Sequence, residues 1–173
     1  VTNPPVKTTL IIIALSIVVL VTAFFMLAAM SRSGKAAGLA EGHLAKCPDT
    51  PNCVCSEYRD DTRHYIDPII NPQGITFEPL PILRDVIRAM GGHIQTGKTD
   101  YLAATFSSAI FGFVDDVEIR VDLIHKRIHI RSASRVGYGD FGVNRQRVEL
   151  LRVLYREKVS ETDPVRWPVR PDL

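Results

Sequence analysis

Three groups of residues have types and spacings that could do chemistry. The first is Cys47, Cys53 and Cys55 in the run CPDTPNCVCS, which holds every cysteine of the chain. A Cys47–Cys53 disulfide would close a small loop in which Pro48 and Pro51 bias the backbone to turn, as suits an oxidising compartment. A metal site would need a fourth ligand, with His43 and His64 nearest in sequence, but C-x5-C-x-C is not the C-x2-4-C opening of common zinc sites. Unbridged buried thiols are a third reading. Lipidation of Cys47 is a fourth, disfavoured by Lys46 directly before it.

The second group is the polar run RSASRVGYGDFGVNR, residues 131–145. Arg131, Arg135 and Arg145 could converge on a small anion or lipid headgroup, with Ser132, Ser134 and a helix N-terminus adding donors. Tyr138, Asp140 and Asn144 complete this candidate anion or interaction loop. In the competing reading the loop satisfies itself, Asp140 pairing with an arginine and the hydroxyls bonding loop backbone.

The third group imitates a nucleotide site. GHIQTGKT, Gly92 to Thr99, matches G-x4-G-K-[ST], and IFGFVD at 110–115 resembles an apolar strand ending in a magnesium-holding acid. A phosphate loop joins a strand to a helix. Here a helical pattern precedes the motif, and Lys98 and Asp115 are only 17 residues apart. Gly97-Lys98 therefore reads as a turn between two strands. Asp115 and Asp116 are an acid pair in sequence, but adjacent strand residues face opposite ways. With His129 they are the candidates for a hydrolase. No catalytic, cofactor or metal site is assigned.

These groups need elements to position them. Ile82, Leu83, Val86, Ile87 and Met90 recur at helical spacing, and Gly91-Gly92 is a stop signal. Residues 93–97 and 101–107 are expected strands. Val117, Ile119, Val121 and Leu123 alternate with charged residues, and Ile128 and Ile130 with Arg127, His129 and Arg131, which predicts a hairpin of two half-buried strands. Keeping both apolar sets on one face requires pairing positions whose sum is odd. Leu123 opposite Ile128 and Val121 opposite Ile130 satisfy this, with a turn at His125-Lys126 and an Asp122–His129 ion pair on the outer face. Asn144 to about Glu157 is the last helix, with Asn144 as its N-cap, an apolar stripe of Val148, Leu151, Leu154 and Tyr155, and Arg145, Arg152 and Arg156 on the polar side. Residues 56–81, with four prolines, read as an extended wrap. The expected fold is α+β, an antiparallel sheet covered by two helices.

The chain has 173 residues and a formal net charge of +2, without the basic excess of a nucleic-acid binder, so no nucleic-acid partner is expected. Its 46% hydrophobic content hides an asymmetry, because Lys7 is the one charged side chain of residues 1–30. Leu10 to Met30 is an uncharged run of 21 residues, roughly 30 Å long as a helix, enough to cross a hydrocarbon core. It exceeds the apolar region of a typical signal peptide, so a retained anchor is expected. The organisation is a short tail at 1–9, a transmembrane helix at 10–30, a linker at 31–46 with the helix continuing to about Ala37, a globular domain at 47–158, and an extended Pro-rich tail at 159–173 in which Trp167 could dock on a partner. Arg32, Lys35 and Lys46 against Lys7 place the domain in the cytoplasm by the positive-inside rule; the cysteines argue for the other side.

CPDTPNCVCS at 47–56, HYI-x-P at His64 to Pro68, FVDDVE at 113–118 and RSASRVGYGDFGVNRQRVE at 131–149 resemble the bacterial and plastid family catalogued as domain of unknown function 1499, over about residues 44–157. Family members usually have Ser at the position of Cys55 and often Ser at that of Gly139, which weakens a three-thiol metal site. Members often carry an export signal or membrane anchor. The resemblance therefore implies an inner-membrane, single-pass protein with a cytoplasmic N-terminus and a periplasmic domain. It brings no enzymatic activity with it. The expected role is a non-enzymatic accessory or scaffolding subunit of a larger membrane complex, redox or photosynthetic complexes being the classes considered. Its contacts would be the bilayer and neighbouring subunits, reached through helix 10–30 and the C-terminal tail. A binding module at loop 131–145 and a hydrolase are the alternatives.

Overall fold

The computed structural model describes residues 5–70 and 78–162, so Trp167 and part of the 56–81 wrap lie outside the described residues. A long helix, α1 (Val6–Ser33), leads into an α+β domain. The domain's strands are β1 (Leu39–Ala40), β2 (His43–Leu44), β3 (Cys53–Cys55), β4 (Ile69–Ile70), β5 (His93–Gly97), β6 (Tyr101–Ser107), β7 (Val114–Asp122) and β8 (Arg127–Ser134). Two helices accompany them, α2 (Pro79–Ala89) and α3 (Val143–Thr162). β1 and β2 form a small hairpin; the main sheet runs β3-β8-β7-β6-β5, antiparallel throughout, with β4 also on β8.

α1 is long and apolar enough to cross a membrane. Ser16 and Thr22 donate their hydroxyl protons to the carbonyls of Ile12 and Val18, so the polar side chains within the run Leu10 to Met30 are answered by the helix itself.

α2 begins earlier than the apolar spacing implies, because Pro79 fits the first helical turn, where an N–H has no partner to lose. Its end is a Schellman motif: the N–H of Gly92 bonds the carbonyl of Ile87, that of Gly91 the carbonyl of Arg88, and Gly91 adopts φ +84°. Gly92 is also required by packing, since a Cβ there would lie 2.6 Å from the Phe106 ring. α3 starts one residue before Asn144 and runs on to Thr162, past the end expected at Glu157. Val148, Leu151, Tyr155 and Val159 are its fully buried stripe; together with α2 it covers one sheet face over Leu102, Val117, Ile119, Ile128 and Ile130. Arg152, expected on the polar side, is buried and donates to the carbonyls of Asp67 and Pro68, pinning the wrap that leads to β4.

The β7–β8 hairpin keeps the expected parity and slips by two residues. Val121 faces Ile128, Ile119 faces Ile130, and Arg120, not Asp122, faces His129. Leu123, expected in the core, is 69% exposed in the turn. Asp122 instead accepts from the backbone N–H and the ring of His125, both in that turn. Burial opposes ionisation of Asp122; these bonds, with the nearby His125 and Arg120 charges, outweigh it and hold the carboxyl down at about 2.

The opposite sheet face is not a solvated polar surface. The expected linker folds over it: Leu44 is fully buried with Cys55, Tyr101 and Ala103, and Ala36, Cys47 and Tyr58 pack around them. The domain therefore has a second layer that the reading of 31–46 as linker leaves out.

Candidate functional site

Asp116, Glu118 and Arg120 of β7 and His129 and Arg131 of β8 alternate with the core set, so they share the face that the 34–58 segment covers. Being covered, they must be paired. Glu118, 0% exposed, accepts from Arg131 Nη1 at 2.9 Å, from the Tyr101 hydroxyl at 2.7 Å and from the Gly38 N–H at 2.6 Å. Glu57 accepts from Arg120 Nε at 2.6 Å and from the Leu44 N–H at 3.1 Å, and lies 2.8 Å from His43 Nδ1. Both carboxylates thus clamp the covering segment to the sheet. Burial and the bond to Glu118 raise the Tyr101 phenol well above its usual value. Ser56 Oγ accepts from the Ile130 N–H and lies 3.3 Å from His129 Nδ1. Burial lowers the His129 pKa, which favours the neutral ring.

The third ion pair on this face joins the domain to α1. Arg135 grips Asp116 with two bonds, Nε at 2.8 Å and Nη2 at 2.7 Å. Its remaining nitrogen, Nη1, donates to the carbonyls of Ser31 and Arg32 at 3.1 and 3.4 Å. Those carbonyls belong to the last turn of α1, where helical partners run out, so the guanidinium caps the helix. Asp116 in turn raises the Arg135 pKa. A Cβ on Gly34 would come within 2.9 Å of Arg135 Cδ. The helix stops at Ser33 and does not continue to Ala37; Gly34, extended at φ −69° and ψ 169°, leads the chain out beside this cap. Ser31 is fully buried; its hydroxyl accepts the Val114 N–H at 2.7 Å. Arg32 reaches the carbonyls of Phe111 and Gly112. Phe24 and Phe25 on α1 pack against Phe111 and Phe113 of the β6–β7 loop.

The candidate residues of 131–145 divide between these tasks. Arg131 and Arg135 are taken by Glu118 and Asp116. Arg145 lines a separate depression of about 310 Å³ and donates to the Tyr65 carbonyl. The three therefore do not converge. Ser132 donates to Asn144 Oδ1 at 2.6 Å, and Asn144 Nδ2 donates to Ser134 Oγ and to the Asn52 carbonyl. Asn144 is thus a strut inside the first turn of α3, not its N-cap. The capping carboxylate is Asp140, which accepts from the Gly142 and Asn144 N–H groups rather than pairing with an arginine. Tyr138, 70% exposed, and Phe141 stand out from the loop into solvent.

Asp115 points to the helix face and binds Arg147 at 2.7 Å, while Asp116 points to the other, so they share no site. Gly92 to Thr99 closes α2, forms β5 and enters the β5–β6 turn; its Gly-Lys step is that turn, with Lys98 N–H bonded to the Tyr101 carbonyl. Cys47 and Cys53 form a disulfide, with Cα atoms 5.7 Å apart, which removes both from metal ligation. Cys55 is a buried free thiol whose pKa burial pushes up to about 11.

Sequence reasoning missed Glu57, Asn52, Arg147 and the covering segment. The signal it had was the surplus of carboxylates and arginines at alternate positions of two paired strands.

No curated protein matches the chain. A family model described as "Protein of unknown function (DUF1499)" matches residues 43–154, from β2 through most of α3 and across every ion pair of the covered face. With its motifs and its α+β domain in agreement, the chain belongs to the DUF1499 family.

Proposed function

We propose that this chain is a non-enzymatic accessory subunit of a larger membrane complex, anchored by α1, whose exported domain braces neighbouring subunits. The observation that carries this reading is the joint at Ser31, Arg135 and Asp116. A tether lets its domain tumble; here the last turn of α1 is bonded to β7 through the buried Ser31 and through Arg135, the residue after β8. A domain held at one attitude to its span can present one surface to a neighbour. Tyr138 and Phe141, exposed aromatics on a loop whose backbone is already anchored, suit such a contact.

The joint also seats the domain. Phe24 lies six residues before Met30, about 9 Å deeper along the helix axis. Loop residues packed on Phe24 therefore enter the bilayer with it, and Ile110 beside them, 82% exposed, meets lipid rather than water. The Cys47–Cys53 disulfide supports a periplasmic domain, against the count of basic residues near the span. The anion-module reading of loop 131–145 has less support, because two of its three arginines are answered by buried carboxylates.

Blue-native electrophoresis of native membranes after mild solubilisation tests the proposal. Co-migration with a larger assembly is expected; migration as a small monomer overturns it.

A further inference from the structure

Between the end of α1, the covering segment and the β5–β6 hairpin lies a half-open groove of about 680 Å³. Arg32, Lys35, Lys98 and Arg135 line it, with Gln95 and Thr96 as polar neighbours, and none of its described lining residues is Asp or Glu. Asp116 answers Arg135. Arg32, Lys35 and Lys98 make no ion pair with any described carboxylate. The buried carboxylates behind its wall are already bonded, Glu118 to Arg131, Tyr101 and Gly38 and Asp116 to Arg135, which leaves Arg32, Lys35 and Lys98 as the cations without a described carboxylate partner.

Position selects the anion. Arg32 follows Met30 by two residues, about 3 Å along the axis, so the groove opens at the headgroup layer of the bilayer that α1 crosses. We infer that it binds the phosphate of an anionic lipid headgroup, with Lys35 and Lys98 as its principal cations and Arg32 contributing charge from the helix end. Lys35 comes from the segment after α1 and Lys98 from the β5–β6 turn, so a headgroup bound between them would bridge span and sheet beside the Arg135 cap. The loop at 131–145 is not part of this site except for Arg135.

The test is native mass spectrometry of the full chain in detergent micelles, titrated separately with phosphatidylglycerol, phosphatidylcholine and inorganic phosphate. Retention of phosphatidylglycerol over phosphatidylcholine is expected. The Lys35→Gln/Lys98→Gln double variant should bind phosphatidylglycerol about tenfold more weakly or worse, and Lys35→Arg/Lys98→Arg should keep it. Both lysines are exposed, so neither variant should disturb the fold. Equal retention of the two lipids, or wild-type binding by the Gln variant, overturns the site. Inorganic phosphate binding as tightly as the lipid overturns its assignment to a headgroup. The inference rests on reading α1 as a membrane span. Alkali extraction separates the two failures: release of the chain removes the span, whereas retention without lipid selectivity removes the headgroup site alone.

Discussion

Phe24 of α1 stacks on Phe111 of the β6–β7 loop, ring centroids 5.2 Å apart and planes 22° from parallel. One partner belongs to the apolar helix and the other to the globular domain. The contact couples the two halves of the chain seven residues before the hydrogen-bonded end of the helix at Ser31. Above it, Ser31, Arg32 and Arg135 close the joint with hydrogen bonds.

Removing the cap should unlock the joint. Arg135→Ala leaves Asp116 buried without its partner and strips the last carbonyls of α1, at a cost of about 3–5 kcal/mol. Arg135→Lys restores a charge but not the two-pronged grip and should recover only part of the loss. Thermal melting in detergent measures both; equal melting of wild type and Arg135→Ala would show that the pair does not hold the joint.

Glu118 is the corresponding test of the covered face. Glu118→Ala frees Arg131, Tyr101 and the Gly38 N–H together, again at about 3–5 kcal/mol. Hydrogen exchange should rise first in residues 36–44, the segment it clamps. Unchanged exchange there would mean the segment is held by Leu44 packing alone.

His129 gives the domain a pH dependence of definite sign. Its folded pKa lies below the usual value, so the unfolded chain binds the extra proton. Its contribution is complete above the unfolded value of about 6.5 and is lost as pH falls below that. Wild-type stability should therefore drop from about pH 7 to about pH 5, and His129→Gln should flatten that part of the curve. An identical slope in the variant would assign the dependence to other groups.

The cysteines give a count. Without reductant the native protein should label at no thiol; denatured, at Cys55 alone; denatured and reduced, at all three. Reduction of a bridge with a sequence separation of 6 should cost about 2 kcal/mol. Labelling of Cys47 and Cys53 without reductant would remove the disulfide and the export argument with it.

The apolar face was legible because alternation reports it directly: Val117, Ile119, Val121, Ile128 and Ile130 all lie in the core as their spacing implies. The same alternation misled on the other face. A strand with charges on one side looks solvated, and nothing local reveals that a Gly-rich stretch eighty positions earlier folds over it and bonds Glu118 from Gly38. Pairs such as Glu57–Arg120 join residues 63 apart and carry no period. The register slipped because parity alone permits shifts of two, and Leu123 looks like core until the turn claims it. Asp140, expected to pair with an arginine, took the capping role expected of Asn144 because both are good caps by type; only the loop's path decides which carboxylate or amide reaches the first turn.

The seated brace is tested most directly by depth. An environment-sensitive fluorophore at Ile110→Cys, in the full chain reconstituted in bilayers, should be quenched by spin labels on lipid acyl chains and shielded from aqueous iodide. Quenching by iodide with no effect of the lipid-borne labels would place the β6–β7 loop in water and contradict the account.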